Sequence, residues 1–272
     1  MYKIVFIDID GTLKNEKRDT TKRTKNAILK CTQKGILIVI CSGRPKHSVE
    51  EISKDANASK YIIASNGAQI YDYDENKTIF LNPMKKEACK KIYDIAIAND
   101  CKFIMNLEDH RVITRKDFAS NPADILLDAP IEEFIDKNKI MQCLIQDPSF
   151  EKIKSLKEEV EKIEEGEIKN QSKCLTNPNI PPRETTYYDI ADIKTSKGLG
   201  VEKLCKFLNI DLKETIAIGD DFNDIPMFEK VGLSVVMGNA NDTVKRYAKI
   251  ATEDNDNDGV AIFLEDLLNG KY

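Results

Sequence analysis

Histidine is scarce in this chain, which has two among its 272 residues. So few imidazoles argue against a Ser-His-Asp triad and against a zinc site built from histidine. Phosphate loops of the Gly-x-Gly-x-x-Gly kind are also missing after the strand-like segments. A dinucleotide-binding function therefore lacks the loop that would hold its pyrophosphate.

Long apolar runs, paired cysteines and an excess of basic residues are missing as well. No run approaches the roughly 20 apolar residues that a membrane span needs, and the early charges of MYKIVFIDID argue against a signal peptide. Seven cysteines, without a Cys-x-x-Cys pair, suit reduced thiols in the cytoplasm. With 41 Lys+Arg against 46 Asp+Glu, the net charge of -5 favours neither nucleic acid nor anionic membrane as a partner.

Short apolar runs alternate with amphipathic segments in the first part of the chain. Residues 3–8, 36–41 and 61–64 are predicted to form buried strands, with helices over 20–34 and 45–56, the second starting at Pro45. Strands that are apolar throughout are typical of parallel sheets covered by helices on both faces. The sequence therefore predicts an α/β fold with a doubly wound parallel sheet.

A more polar stretch follows, and then the first pattern returns. Apolar residues recur at helical spacing over 150–163, and 177–184 (NPNIPPRE) is predicted to be a loop. Further on, helices are expected over 197–208 and 224–230, with a strand over 215–219. The predicted division of the chain is a core in two segments with an inserted α/β domain between them: 1–82, 83–188 and 189–272.

Polar clusters stand where the predicted strands end. They are DIDGT at 8–12, SGR at 42–44, SNG at 65–67 and GDDFND at 219–224. In open α/β sheets, ligands bind beyond the carboxyl ends of the strands. Together with Lys197, these clusters predict a carboxylate-rich pocket that contains a cation.

Asp8 and Asp10 are two residues apart on an extended segment, so their side chains would share a face. Carboxylates this close repel each other, and a divalent cation such as Mg2+ would relieve the repulsion. One carboxylate could then attack a phosphate as a nucleophile. The other could protonate the leaving oxygen and later deprotonate the attacking water. A lone Asp-x-Asp-Gly, however, can also be a solvated turn.

The ordered set of clusters resembles the haloacid dehalogenase superfamily of phosphatases. The set is Asp8 to Leu13, Ser42-Gly43-Arg44, Lys197-Gly198 and Gly219 to Asp224. More closely, the chain is similar to the Cof-type phosphatase subfamily, which SNGA at 65–68, VMGNA at 236–240 and NDNDGVA at 255–261 also resemble. The resemblance covers nearly all of both core segments. It implies a Rossmann-like core and, by position and length alone, an α/β cap domain in the insert.

The resemblance also implies roles for the matching residues. Asp8 would be the nucleophile, Asp10 the general acid and base, and Lys197 the group that neutralises charge between nucleophile and phosphate. The phosphoryl group would be held by Lys197 together with the following residues: Ile9 through its backbone N–H, Ser42, Gly43 through its backbone, and Asn223.

A Mg2+ ion is the cofactor that the resemblance implies. Its ligands would be Asp8, Asp10 through its backbone carbonyl, and Asp220. Asp224 would bind it through water or support the ligands from behind.

Other polar residues leave alternatives open. Arg44 could contact the substrate or form a structural salt bridge, and Asp221 is expected to be a solvated neighbour. His47 could face the pocket, but a surface position on its helix fits better, and Cys41 lies in an apolar run typical of a core.

The loop that starts at Asp254 matches the calcium-loop pattern D-x-[DN]-x-[DN]-G-x5-E in full, ending at Glu265. An EF-hand also needs a helix directly before this loop, and residues 249–252 are expected to be the end of a strand or a loop instead. The alternative is the polar loop of Cof-type proteins, in which Asn255 would lie near the active site.

The expected function is Mg2+-dependent hydrolysis of a small phosphorylated metabolite, such as a sugar phosphate, through an aspartyl-phosphate on Asp8. One alternative is a phosphotransferase or phosphomutase on the same fold. The other is a non-catalytic binding protein, which would be expected to have lost one of the site residues. The expected protein is a cytoplasmic monomer whose substrate would be chosen by the insert.

Overall fold

The computed structural model describes residues 2–117, 120–163, 169–170 and 186–272. The chain separates into two compact units, the first formed by Met1–Phe80 with Ser196–Tyr272 and the second by Leu81–Thr195. The loop predicted at 177–184 lies outside the described residues.

The strands of the described residues are β1 (Ile4–Ile7), β2 (Leu37–Cys41), β3 (Tyr61–Ala64), β4 (Gln69–Asp72), β5 (Lys77–Leu81), β6 (Lys102–Leu107), β7 (Arg111–Ile113), β8 (Ile125–Leu126), β9 (Ile140–Asp147), β10 (Lys169–Asn170), β11 (Thr186–Ala191), β12 (Thr215–Gly219), β13 (Leu233–Val236) and β14 (Ile250–Ala251). The α-helices are α1 (Lys22–Gln33), α2 (Lys46–Asp55), α3 (Lys86–Ala98), α4 (Ile131–Lys137), α5 (Phe150–Val160), α6 (Lys197–Leu208), α7 (Ile225–Phe228), α8 (Asp242–Lys245) and α9 (Gly259–Leu268).

The first unit is built on a sheet in the order β14-β13-β12-β1-β2-β3-β4-β5. The pairs from β14 to β3 are parallel, and β4 runs antiparallel to β3. Both faces of β1 are buried, because Val5 packs with α1, α2 and α9 while Phe6 packs with α6 and α7 on the other face. This arrangement confirms the predicted α/β fold class with a doubly wound, largely parallel sheet.

Side-chain caps fix where the helices of the first unit begin. The Thr21 hydroxyl accepts from the backbone N–H of Thr24 at the start of α1. The Ser196 hydroxyl accepts from the backbone N–H of Leu199, so α6 begins at Lys197. Such caps satisfy N–H groups that have no partner within the helix, and here the cap also places Lys197 at the first helical position.

Two predicted helix starts differ from the structure. Pro45 is the N-cap residue of α2 and lies outside its first turn, because its ψ of 157° is extended. The helix expected over 224–230 is shorter, since Phe222–Asp224 form a 3-10 turn before α7. The Asp221 side chain caps this turn by accepting from the backbone N–H of Phe222, which favours a tight turn at the strand end.

The second unit has its own sheet, in the order β10-β11-β9-β6-β7-β8, and its own core. Strand β9 pairs antiparallel with both β6 and β11, and this pairing keeps residues 186–191 with the second unit. Helices α3 and α5 pack on one face of the sheet. The amphipathic pattern predicted over 150–163 is confirmed, because Ile153, Leu156 and Val160 are the buried residues of α5.

Cysteines of the described residues are free and buried: Cys31, Cys41, Cys89, Cys101, Cys143 and Cys205. Among the same residues, no helix combines the length and the apolar character that crossing a bilayer requires.

Candidate active site

Four neighbouring parallel strands of the first unit, in the order β12-β1-β2-β3, bring the predicted clusters to one edge of the sheet. Asp8 follows β1, Ser42 follows β2, Ser65 follows β3, and Asp220 follows β12. Parallel strands end at the same edge, so loops that are far apart in sequence meet there.

Lys197 is the centre of this meeting point. Its ammonium group lies 2.5 Å from Oδ1 of Asp8 and 2.5 Å from Oδ1 of Asp224, and the side chain is fully buried. Burial by itself lowers the pKa of Lys197, but the two adjacent carboxylates outweigh burial and raise the pKa above its ordinary value. Lys197 therefore carries its positive charge at neutral pH.

Asp8 is almost fully buried, with 6% of its surface exposed. Burial raises the pKa of Asp8 to about 7, since the opposing charge of Lys197 is offset by the like charges of Asp224 and Asp220. A carboxyl that titrates near neutrality in a polar cluster is a common feature of reactive sites.

Carboxylate oxygens of Asp8, Asp220 and Asp224 lie within 4.8 Å of one another and could hold a metal ion. Oxygen donors of this kind suit a hard cation such as Mg2+ or Ca2+. The donor set therefore fits a divalent metal that prefers oxygen ligands.

Asp220 is held by the loop that follows β1. The Thr12 hydroxyl donates to Oδ1 of Asp220 at 2.7 Å. Gly11 has a φ of +84°, and a Cβ atom there would lie 2.3 Å from Oδ2 of Asp220. Only glycine can therefore occupy position 11 with Asp220 in this place.

Asp224 is engaged through both of its oxygens. Oδ1 accepts from Lys197, and Oδ2 accepts from the backbone N–H groups of Asp220 and Asp221 at 2.9 Å each. Asp224 thereby orders the loop that carries Asp220.

Asp10 lies outside this carboxylate cluster. Its side chain is 57% exposed and forms a two-point ion pair with Arg44, with Nε–Oδ2 at 2.8 Å and Nη2–Oδ1 at 2.6 Å. The hydrogen bonds to Asp10 raise the pKa of Arg44 above its ordinary value. Of the two alternatives for Arg44, the structure shows the ion pair.

The loop after β2 is tied to the loop after β3. The Ser42 hydroxyl accepts from the backbone N–H of Arg44 at 3.3 Å, and the Ser42 carbonyl accepts from the backbone N–H of Asn66 at 3.0 Å. Asn223 donates through Nδ2 to Oδ1 of Asn66 at 3.0 Å. Ile9 places its fully buried side chain in the core beneath the site.

Sequence reasoning gave no role to Asn66, Thr12 or Asn239. Asn239 donates through Nδ2 to the Gly11 carbonyl at 2.9 Å and accepts from the backbone N–H of Asn255. The signals were present in SNGA, DGT and VMGNA, but the sequence did not show which groups these side chains would contact.

The structure shows the surroundings of three side chains whose roles the sequence left open. His47 is exposed on α2, as expected for a surface position. Cys41 is buried, and burial raises the pKa of its thiol well above the ordinary range. Asp221 caps the 3-10 turn that follows it, so it does more than the solvated neighbour that was expected.

In the sequence that matches the calcium pattern, carboxylates accept hydrogen bonds from backbone N–H groups or form ion pairs with arginine. Asp254 accepts from backbone N–H groups within the loop, and Asp258 and Glu265 both pair with Arg23. The only group of three potential metal ligands among the described residues is the one at the strand ends. Residues 250–251 before the loop form β14, as predicted, so the helix of an EF-hand is missing. Asn255 donates to the Lys14 carbonyl, beside the loop that follows β1.

Comparison with known proteins places the chain in a family. Residues 5–264 match the haloacid dehalogenase-like hydrolases. The 5-amino-6-(5-phospho-D-ribitylamino)uracil phosphatase YwtE of Bacillus subtilis is 30% identical over 287 residues, with 99% of each chain covered. The pyridoxal phosphate phosphatase YbhA of Escherichia coli is 24% identical, over 96% of this chain and 97% of its own. The crystal structure of TM0651 from Thermotoga maritima, 25% identical, superposes with a TM-score of 0.81 over 97% of both chains.

The chain belongs to the haloacid dehalogenase-like hydrolase family, as its clusters predicted. Within that family it is a phosphatase, an enzyme that hydrolyses phosphoric monoesters.

Proposed function

We propose that this enzyme hydrolyses a small phosphorylated metabolite, a sugar phosphate or a similar ester, through an aspartyl-phosphate on Asp8 with Mg2+ as cofactor. The contact of a buried Asp8 with the Lys197 cation, inside a cluster of carboxylates, is the observation that carries this proposal.

Asp8 is the proposed nucleophile. A carboxylate oxygen of Asp8 forms a bond to phosphorus while the ester P–O bond breaks, and the alkoxide leaves with the bonding electron pair. Lys197 contacts Oδ1 of Asp8, where its charge favours the ionised carboxylate and offsets the charge of the incoming phosphoryl group. Water then attacks the phosphorus of the aspartyl-phosphate and releases inorganic phosphate and free Asp8.

Asp10 is the proposed general acid and base. It would protonate the leaving alkoxide and later take a proton from the attacking water. Its exposed carboxylate is more accessible than that of Asp8, which suits contact with a leaving group. The two-point pair with Arg44 supports a fixed orientation for this carboxylate.

Asp8, Asp220 and the backbone carbonyl of Asp10 are the proposed ligands of Mg2+. Asp224 would act through water or from behind the ligands, because both of its oxygens already accept from Lys197 and from backbone N–H groups. When bound, the metal would supply positive charge that lets an anionic phosphate approach the carboxylates.

The phosphoryl oxygens would be held by donors from the loops at the strand ends. The proposed set is the backbone N–H of Ile9, Ser42, the backbone N–H of Gly43, Lys197 and Asn223. Donors that are fixed before the reaction stabilise charge on these oxygens without reorganisation at the moment of transfer.

The second compact unit is the proposed cap domain that selects the substrate. YwtE acts on a phosphorylated ribitylaminouracil and YbhA on pyridoxal phosphate, according to their names. Both are small esters, which supports a small-molecule substrate here.

Buried free thiols fit the reducing cytoplasm as the proposed location of this protein. We also propose that it is a monomer without nucleic-acid or membrane partners.

Phosphate release from a panel of phosphorylated metabolites tests the proposal. We expect release by the wild type with Mg2+, no release with EDTA, and no release by Asp8→Asn. Asp74→Asn, the same change at an exposed position, is the matched control and should behave as the wild type. Transfer of phosphate to another acceptor without release would favour a phosphotransferase or phosphomutase. Equal turnover of a folded phosphoprotein would count against a small-molecule substrate.

A further inference from the structure

The segment Ser65–Gly67, directly after β3, has an unusual backbone. Its three residues have consecutive positive φ angles of 48°, 55° and 97°. Residues other than glycine rarely adopt such angles, although asparagine tolerates them better than most. Backbone strain of this kind persists where the surrounding structure enforces it, and it concentrates at functional sites.

Backbone hydrogen bonds tie this segment to the loop after β2. The N–H of Ser65 donates to the Arg44 carbonyl at 2.9 Å, and the N–H of Asn66 donates to the Ser42 carbonyl at 3.0 Å. The strained conformation is therefore the one that pairs with both ends of the Ser42–Gly43–Arg44 loop.

The Asn66 carboxamide, which is 3% exposed, lies between two proposed phosphate-binding groups. Its Oδ1 accepts from Nδ2 of Asn223 at 3.0 Å. Its Nδ2 lies only 3.0 Å from the place that a Cβ on Gly43 would occupy, so the carboxamide packs directly against that glycine.

The same segment contacts the start of α6. A Cβ on Gly67 would lie 2.1 Å from the Ser196 carbonyl oxygen, so the absence of a side chain allows this approach. Ser196 caps the helix whose first residue is Lys197. Three of the loops that form the site thus meet at Ser65–Gly67.

We infer that Asn66 is a positioning residue, whose side chain fixes the Asn223 carboxamide in the orientation that binds a phosphoryl group. The inference rests on the proposed function. The end of an asparagine side chain rotates easily on its own. Asn66 accepts a hydrogen bond from one of the two N–H groups on Nδ2 of Asn223. This bond fixes the direction of the second N–H group, which would donate to a phosphate oxygen.

A double-mutant cycle on phosphate binding tests this inference. Asn66→Gly removes the carboxamide and keeps a residue that tolerates the left-handed backbone. With Mg2+ present, we expect Asn66→Gly to raise the Kd for inorganic phosphate, measured by calorimetry, about three- to tenfold, the worth of one hydrogen bond. In an Asn223→Ala background, the same change should raise the Kd by less than about twofold, since the effect passes through Asn223.

Asn57→Gly is the matched control, because Asn57 is exposed, has a φ of 60° and lies at the end of α2. It should leave the Kd unchanged. If Asn66→Gly does not fold, Asn66→Ser replaces it, since the shorter side chain cannot reach Asn223.

Phosphate release by the wild type, measured in parallel, separates the two ideas. An unchanged Kd in Asn66→Gly, or fully additive effects in the double mutant, would overturn the inference while leaving an active wild type in place. Coupled phosphate binding in a wild type that hydrolyses no ester would support the inference and refute the proposed hydrolysis. A wild type that neither binds inorganic phosphate nor hydrolyses any ester would overturn both.

Discussion

Replacing Lys197 by methionine should destabilise the first unit strongly. The ammonium group is fully buried between Asp8 and Asp224, at 2.5 Å from each. Methionine has a similar length, so the packing changes little while two buried carboxylates lose their counter-charge. Removing one partner of a buried ion pair costs about 3–5 kcal/mol. For a domain of this size, that corresponds to a fall in Tm of roughly 6–20 °C.

The loss should grow with pH. Burial raises the pKa of Asp8 to about 7, above the ordinary value of 3.8 that it has in the unfolded chain. A group whose pKa is raised by folding contributes stability that is fully present below pH 3.8, and this contribution is lost as the pH rises from there through about 7. Lys197 lowers the pKa of Asp8, so its removal raises that pKa further. The fall in Tm should therefore be smaller near pH 5.5, where Asp8 is protonated, than near pH 8.

Scanning calorimetry of metal-free protein at both pH values measures this effect. Lys206→Met, an exposed change on the same helix, is the matched control and should shift Tm by no more than about 2 °C. A Lys197→Met variant that melts within about 2 °C of the wild type at both pH values would refute the reasoning.

Three further predictions concern the metal cluster and the polar loop near the C-terminus. Gly11→Ala should lower kcat at least about tenfold, because its Cβ would displace Asp220 from the site. An unchanged kcat would contradict the close approach. Thr12→Val removes the hydrogen bond to Asp220 and should raise the Mg2+ concentration for half-maximal activity about tenfold or more. An unaltered Mg2+ titration would show that this bond does not orient a metal ligand. The Tm shift caused by Ca2+ should be equal in wild type and Glu265→Gln, because Glu265 is engaged by Arg23; a larger shift in the wild type would restore the calcium-loop interpretation.

The edge of the sheet that carries the site could be predicted because its causes are local. Apolar runs marked strands such as Thr215–Gly219, whose predicted bounds match the structure. Parallel neighbours end at one edge, so the clusters that follow them had to converge. Lys197 was predicted at a helix start, and the Ser196 cap places it there.

Contacts between distant loops could not be predicted, because they depend on side-chain directions at the meeting point. Asn66 and Asn223 are 157 positions apart, and only the fold brings their carboxamides together. Arg44 had two open roles, and the angle of its side chain decided for Asp10. The ion pair between Arg23 and Glu265 joins two helices, so the sequence could not show it either.

Trapping the covalent intermediate tests the central claim most directly. Wild-type enzyme mixed with Mg2+ and an ester that it turns over is quenched in acid within one turnover, digested, and mapped by mass spectrometry. The account predicts a phosphoryl group on the peptide that contains Asp8, and none in Asp8→Asn. Phosphate release without any phosphorylated peptide, or with the phosphoryl group on another residue, would contradict it.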